Sequence, residues 1–99
     1  MIIAKIVGTV VATVKDAGFE GNKLVLAQAH VIKDGQLVPG QTMLVANDDL
    51  GAGQGEFVVL TQGSSARMAP SMKNTSTDAV VIALIDRIDA SGQLVFKRS

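Results

Sequence analysis

A single histidine and one pair of adjacent carboxylates are the side chains of this sequence best suited to acid–base or metal chemistry. His30 has no cysteine anywhere in the chain and no carboxylate at a motif spacing to complete a metal site or a catalytic relay. Asp48 and Asp49 would point to opposite faces of an extended segment, so they would not share a proton. We therefore expect no catalytic residue and no metal site, with His30 at a strand end and both aspartates in a solvated turn.

Alternating glycines in Gly51-Ala52-Gly53-Gln54-Gly55 superficially resemble a phosphate-binding loop. A dinucleotide fingerprint requires Gly-x-Gly-x-x-Gly before a helix, and a Walker loop requires Gly-Lys-Ser/Thr. Here the spacing differs from both patterns and an apolar, strand-like run follows. Because glycine permits positive φ and close approach of another backbone, the stretch predicts either a tight turn or backbone packing at a subunit contact. We favour the subunit contact.

The small residues of Gly63-Ser64-Ser65-Ala66 and the arginine after them form a second candidate segment. A nucleophile elbow is excluded because its second glycine is missing and only His30 could act as a base. Ser64 and Ser65 are expected to cap backbone groups or line an opening. Arg67 either is solvated or makes a forked contact to a carboxylate of the next subunit. Glu56 is the first carboxylate to test as its partner.

Short β-branched runs separated by turn residues organise the rest of the chain. Strands are predicted over residues 2–15, 23–32, 41–46, 56–62, 80–88 and 93–97, with even positions of the first strand facing the core. Gly8 predicts a bend in that strand. Turns are predicted at Lys33–Gln36, Pro39–Gly40 and Asp89–Gly92, and a short helical turn capped by Ser64 at residues 63–67. Because Val80 to Ile85 is apolar on both faces, the outer face is expected to be covered by a loop or by a neighbouring subunit, and we favour the neighbour.

The composition narrows the function further. A chain of 99 residues is long enough for a single domain, residues 1–99. Nine basic and nine acidic residues cancel, so no electrostatic footprint indicates nucleic acid or an anionic membrane. Hydrophobic residues make up 47% and charged residues 18%, which predicts apolar surface buried between chains. The absence of cysteine, of a signal-peptide pattern and of a membrane-length apolar run fits a cytoplasmic protein.

Three ordered motifs connect the chain to a known family. They are Leu50-Gly51-Ala52-Gly53-Gln54-Gly55-Glu56, Gly63-Ser64-Ser65-Ala66-Arg67 and Asp78-Ala79-Val80-Val81-Ile82-Ala83-Leu84-Ile85-Asp86. Together they resemble the EutN/CcmL family of bacterial microcompartment vertex proteins, and Ala4-Lys5-Ile6-Val7-Gly8-Thr9-Val10 resembles that family's first strand. The resemblance covers nearly the whole chain.

The resemblance implies an all-β fold, a small OB-like β-barrel of five or six strands with one short helical turn. It implies a structural protein without cofactor, which forms homopentamers that cap the vertices of a polyhedral shell alongside hexameric and trimeric shell proteins. By the same resemblance the subunit contacts or the central opening comprise Gly51, Ala52, Gly53, Gln54, Gly55, Glu56, Ser64, Ser65, Ala66 and Arg67. The alternative is an OB-like binding module for single-stranded nucleic acid or a small ligand. Three phenylalanines, without Trp or Tyr, offer few stacking platforms for that alternative.

Overall fold

The computed structural model describes residues 1–11, 23–62 and 79–99. Within these ranges the chain is all-β, as predicted. The strands are β1 (Ile2–Val10), β2 (Lys23–Lys33), β3 (Gln36–Asp48), β4 (Phe57–Gln62), β5 (Ala79–Leu84), β6 (Arg87–Ala90) and β7 (Gln93–Lys97). The predicted helical turn at residues 63–67 and the continuation of the first strand beyond Val11 lie outside the described residues.

Five strands close into a barrel in the order β1-β2-β3-β5-β4. The barrel closes where β4 returns to β1 in antiparallel pairing, from Ile2 opposite Leu60 to Lys5 opposite Phe57. β3 and β5 meet in parallel at Asn47 and Val80. Closure pairs every strand of the barrel on both sides, which removes the unpaired edges that favour aggregation. The predicted small barrel is confirmed, and β6 and β7 form a separate hairpin beside it.

The barrel interior is narrow, and its residues are correspondingly small. The buried core cluster consists of Ala4, Ile6, Val25, Ala27, Ala46, Ala52, Val58, Leu60, Ala79 and Val81. Half of these are alanines, which fits a five-strand barrel whose interior has room for few large side chains.

A β-bulge in β1 changes which residues face the core. Ala4 and Ile6 are buried in the core as predicted, but the pairing with β2 shifts between Ile6 and Gly8. After the shift Gly8 pairs with Leu26, which alternates with core residues of β2 and so faces outward. The predicted bend is therefore present, but the predicted core position of Gly8 is wrong because one extra residue in a bulge exchanges the two faces.

The predicted Asp34-Gly35 turn joins β2 to β3, and both of its residues have positive φ, 53° and 75°. The predicted turn at Pro39–Gly40 is wrong, because β3 continues through both residues to Asp48. A register shift between Gln28 and His30 accommodates Pro39, which lacks a backbone donor. Gly40 fits there because a Cβ would lie 3.2 Å from the carbonyl oxygen of Ala29.

The predicted strand over residues 80–88 is divided in two. β5 ends at Leu84 and β6 begins at Arg87. The backbone N–H of Ile85 donates to the carbonyl of Phe57 at 2.9 Å. Val80 and Val81 are both buried within the chain itself, so the outer face near Val80 does not require the neighbour that we expected to cover it. Further along the strand, Ile82 is exposed. The predicted turn before β7 is confirmed at Ser91 and Gly92, with φ of 54° and 76°.

Candidate functional site

The candidate site is the glycine segment, defined as residues 49–56, which joins the end of β3 to the start of β4. Gly51 and Gly55 have φ of 81° and 92°, a region that side-chain-bearing residues rarely adopt. No atom of the described residues lies within 4 Å of a Cβ built at either position, and the positive φ itself requires glycine there. Gly53 has no such requirement, because its φ is not positive and, among the residues that the structure describes, a Cβ would meet only Glu56 Oε1, at 3.5 Å.

Asp48 attaches one end of the segment to the barrel. Its Oδ1 accepts a hydrogen bond from the Leu50 N–H at 2.9 Å, and its Oδ2 accepts one from the Ala52 N–H at 2.8 Å. Lys23 lies 3.6 Å from Asp48 Oδ2 and donates to the Ala52 carbonyl at 2.9 Å. The prediction of a solvated turn is correct for exposed Asp49 and wrong for Asp48, which is buried.

Ala52 is the point at which the segment enters the core. Its side chain is buried and belongs to the core cluster, although its neighbours Gly51 and Gly53 lie at or near the surface. Ala52 was predicted among the contact residues, and the structure places its side chain inside its own barrel. Burial of this methyl group holds the middle of the segment against the barrel.

Glu56 braces the other end of the segment. Its Oε1 accepts from the Gly53 N–H at 3.0 Å, and its own N–H donates to the Gly53 carbonyl at 3.1 Å. The neighbouring backbone is paired with β1, because the Gly55 N–H donates to the Ile6 carbonyl at 2.7 Å and the Ile6 N–H donates to the Glu56 carbonyl at 2.9 Å. These bonds give the exposed backbone a defined shape.

The carboxylate of Glu56 has partners within its own chain. Its Oε2 lies 2.8 Å from a guanidinium nitrogen of Arg98, just beyond β7. The predicted contact between Glu56 and Arg67 of the next subunit cannot be placed, because Ser64, Ser65, Ala66 and Arg67 lie outside the described residues. Sequence patterns missed Asp48, Lys23 and Arg98, although an aspartate two residues before a loop amide is a known turn signal.

The exposed part of the segment forms a ridge between two shallow depressions. One depression, of about 400 Å³, is lined by the ridge and by Phe96, Lys97 and Ser99. The other, of about 450 Å³, is lined by the ridge and by Lys5, Ile6 and Val7. Gln54 and Gly55 contribute to both and are exposed, so they form the crest of the ridge. Another polypeptide backbone can approach this surface closely at Gly55, which has no side chain, whereas Gln54 beside it offers an amide for hydrogen bonding.

His30, the side chain best suited to acid–base or metal chemistry, takes part in packing instead. Nδ1 of His30 donates to the Gln28 carbonyl at 2.9 Å, and its ring lies edge-on to Phe57 with centroids 5.0 Å apart. Phe57 packs against Phe96 in turn, at 4.8 Å. In the ranges that the structure describes, no three His, Cys, Asp or Glu side chains are grouped as metal ligands. The same ranges contain no helix of the length and apolarity that crossing a bilayer requires.

A small closed barrel that presents a braced, glycine-rich ridge offers a surface for contact with other chains. The model of the family described as ethanolamine utilisation protein EutN/carboxysome matches residues 1–86, and the chain belongs to this EutN/CcmL family. Its relatives are named shell vertex proteins, and the family is one of structural shell proteins and not of enzymes.

Three comparisons illustrate the similarity. The bacterial microcompartment shell vertex protein EutN of Escherichia coli K12 is 36% identical over 98 residues, 99% of this chain and 100% of the relative. The structure of CcmL from Nostoc sp. PCC 7120 has a TM-score of 0.85 at 38% identity and covers 99% of this chain and 100% of that one. GrpN from Rhodospirillum rubrum, described as a pentameric microcompartment shell protein, has a TM-score of 0.78 at 36% identity. The match covers 91% of this chain and 99% of that one.

Proposed function

We propose that this chain is a structural subunit of a bacterial microcompartment shell and forms homopentamers that cap the shell's vertices. The observation that carries the proposal is the braced glycine ridge of a barrel whose relatives are named vertex proteins. The description of GrpN as pentameric supports a ring of five. A ring of identical chains uses heterologous contacts, in which one surface of each subunit meets a different surface of the next and the last contact closes the circle.

The glycine segment is proposed to lie at these contacts or beside the central opening. Gly51, Gly53, Gln54, Gly55 and Glu56 would meet the neighbouring chain, while Ala52 holds the segment from inside. The turn of Ser64, Ser65, Ala66 and Arg67 is proposed to share the same region. Exposed Leu50 at one end of the segment, together with Met43 and Val45 on β3, supplies apolar surface that a neighbour could cover.

Within the shell, residues 1–99 are proposed to act as one domain in the cytoplasm, without cofactor and without catalysis. Pentamers supply the corners that a sheet of hexagons lacks, so the proposed partners beyond the ring are hexameric and trimeric shell proteins. The shell relatives EutN and CcmL support this placement.

Native mass spectrometry of the purified chain tests the ring directly. The expected species has five times the mass of the 10.3 kDa chain. A clean monomer at micromolar concentration would contradict the proposal.

An oligonucleotide titration at low salt tests the binding-module alternative. That alternative requires association that weakens as salt rises. We expect no such binding, because Phe57 and Phe96 pack against each other instead of standing free to stack on bases.

A further inference from the structure

Arg98 connects the C-terminal end of the chain to the glycine segment. It follows β7 and lies beyond the range, residues 1–86, that the family model matches. One guanidinium nitrogen lies 2.8 Å from Glu56 Oε2, and the other lies 3.3 Å from Asp86 Oδ1. Its backbone N–H also donates to the Asp86 carbonyl at 2.8 Å. The backbone bond holds the main chain of Arg98 beside Asp86, and from there the side chain reaches Glu56.

We infer that Arg98 is a positioning residue for ring assembly, acting through Glu56 on the shape of the glycine ridge. Glu56 uses one carboxylate oxygen for Arg98 and the other for the Gly53 N–H. An arginine on Oε2 therefore fixes the orientation in which Oε1 accepts from Gly53. This inference rests on the proposed function, because it assumes that the ridge contacts a neighbouring subunit.

Electrostatics indicate what happens when the arginine is removed. One guanidinium reaches both Glu56 and Asp86, so the two carboxylates face the same cation. Without that cation the two carboxylates would repel each other, although water weakens this repulsion because the Asp86 side chain is 81% exposed. The Glu56 side chain is only 25% exposed, and turning towards water would relieve the repulsion. Turning would also release the Gly53 N–H and allow the segment to change conformation.

The forked shape of arginine suits this position. Two separate nitrogens contact two separate carboxylates, an arrangement that a lysine ammonium on a flexible stem reproduces less well. The chain also offers a matched control in Arg87, which pairs with Asp89 at 2.9 Å in the same hairpin. Both members of that pair are more than half exposed, at 59% and 52%, and both belong to β6. Their contact therefore constrains no other element.

The test compares Arg98→Met, Arg98→Lys and the control Arg87→Met with the wild type. Amide hydrogen exchange is measured for the peptide over residues 50–57, and ring dissociation is followed by native mass spectrometry on dilution. For Arg98→Met we expect about two- to fivefold faster exchange in that peptide and a dissociation midpoint higher in concentration by a similar factor, because the Arg98 side chain is 43% exposed and its ion pairs are screened by water. Arg98→Lys should fall between Arg98→Met and the wild type, and Arg87→Met should match the wild type in both measurements.

The outcomes separate the inference from the proposed function. Unchanged exchange in residues 50–57 of Arg98→Met would overturn the bracing role. Faster exchange with unchanged dissociation would overturn the role in assembly. A monomeric wild type would overturn the proposed function and the assembly role together, whereas the exchange measurement would still decide whether Arg98 braces the segment. Equal effects of Arg98→Met and Arg87→Met would also count against the inference, since they would reflect general loss of charge.

Discussion

Replacing Asp48 by alanine should detach the glycine segment from the barrel and strongly destabilise the fold. The carboxylate accepts hydrogen bonds from the Leu50 and Ala52 amides, and the bond to Ala52 is buried. Hydrogen bonds to a charged group contribute about 1.5–3 kcal/mol each, and a buried N–H left without a partner adds a desolvation penalty. The ion pair with Lys23 adds little, because the lysine side chain is 44% exposed and screened by water. We therefore expect Asp48→Ala to lower the free energy of unfolding by about 3–5 kcal/mol.

The adjacent aspartate provides the control for this prediction. Asp49 is exposed, so Asp49→Ala should change the free energy of unfolding by no more than about 0.5 kcal/mol. Urea unfolding of both variants and the wild type at one fixed chain concentration measures the difference, because the stability of an oligomer depends on concentration. A loss below about 1 kcal/mol for Asp48→Ala, or equal losses for the two variants, would refute the anchoring role of Asp48.

Two further predictions concern glycines. Gly53→Val should abolish the ring and leave the circular dichroism of the barrel unchanged, because within the described parts of the chain a Cβ at Gly53 meets only the Glu56 carboxylate. An unchanged oligomer mass would show that Gly53 does not pack against a neighbour. Gly40→Ala should lower the free energy of unfolding by about 1–3 kcal/mol, because its Cβ would lie 3.2 Å from the Ala29 carbonyl oxygen. In the matched variant Gly8→Ala the nearest described atom to the new Cβ would be Leu26 Cβ, at 3.9 Å. This variant should lose less stability in the same urea titration, and the reverse order would contradict the crowding assigned to Gly40.

Sequence patterns predicted the features that short stretches of chain determine. The Asp34-Gly35 and Ser91-Gly92 turns were found because positive φ at both central residues is a local requirement. The alternation of β1 predicted buried Ala4 and Ile6, and the spacing of strands and turns indicated a small barrel. Three ordered motifs were sufficient to identify the family.

Features that depend on distant partners were not predictable from the same patterns. Pro39–Gly40 has the composition of a turn, and only the pairing of β3 with β2 shows that it lies within a strand beside a bulge. Asp48 appeared solvated because its burial depends on which side of the loop faces the barrel. The contact between Arg98 and Glu56 joins residues that are far apart in the sequence, and no local pattern relates them.

An experimental structure of the assembled oligomer would test most directly whether the glycine ridge is a subunit contact. We expect a fivefold ring in which backbone atoms of Gly53 and Gly55 lie in van der Waals contact with a neighbouring chain. A ring in which both glycines face solvent and touch no other subunit would contradict the proposed role of the segment, whatever the number of chains in the ring.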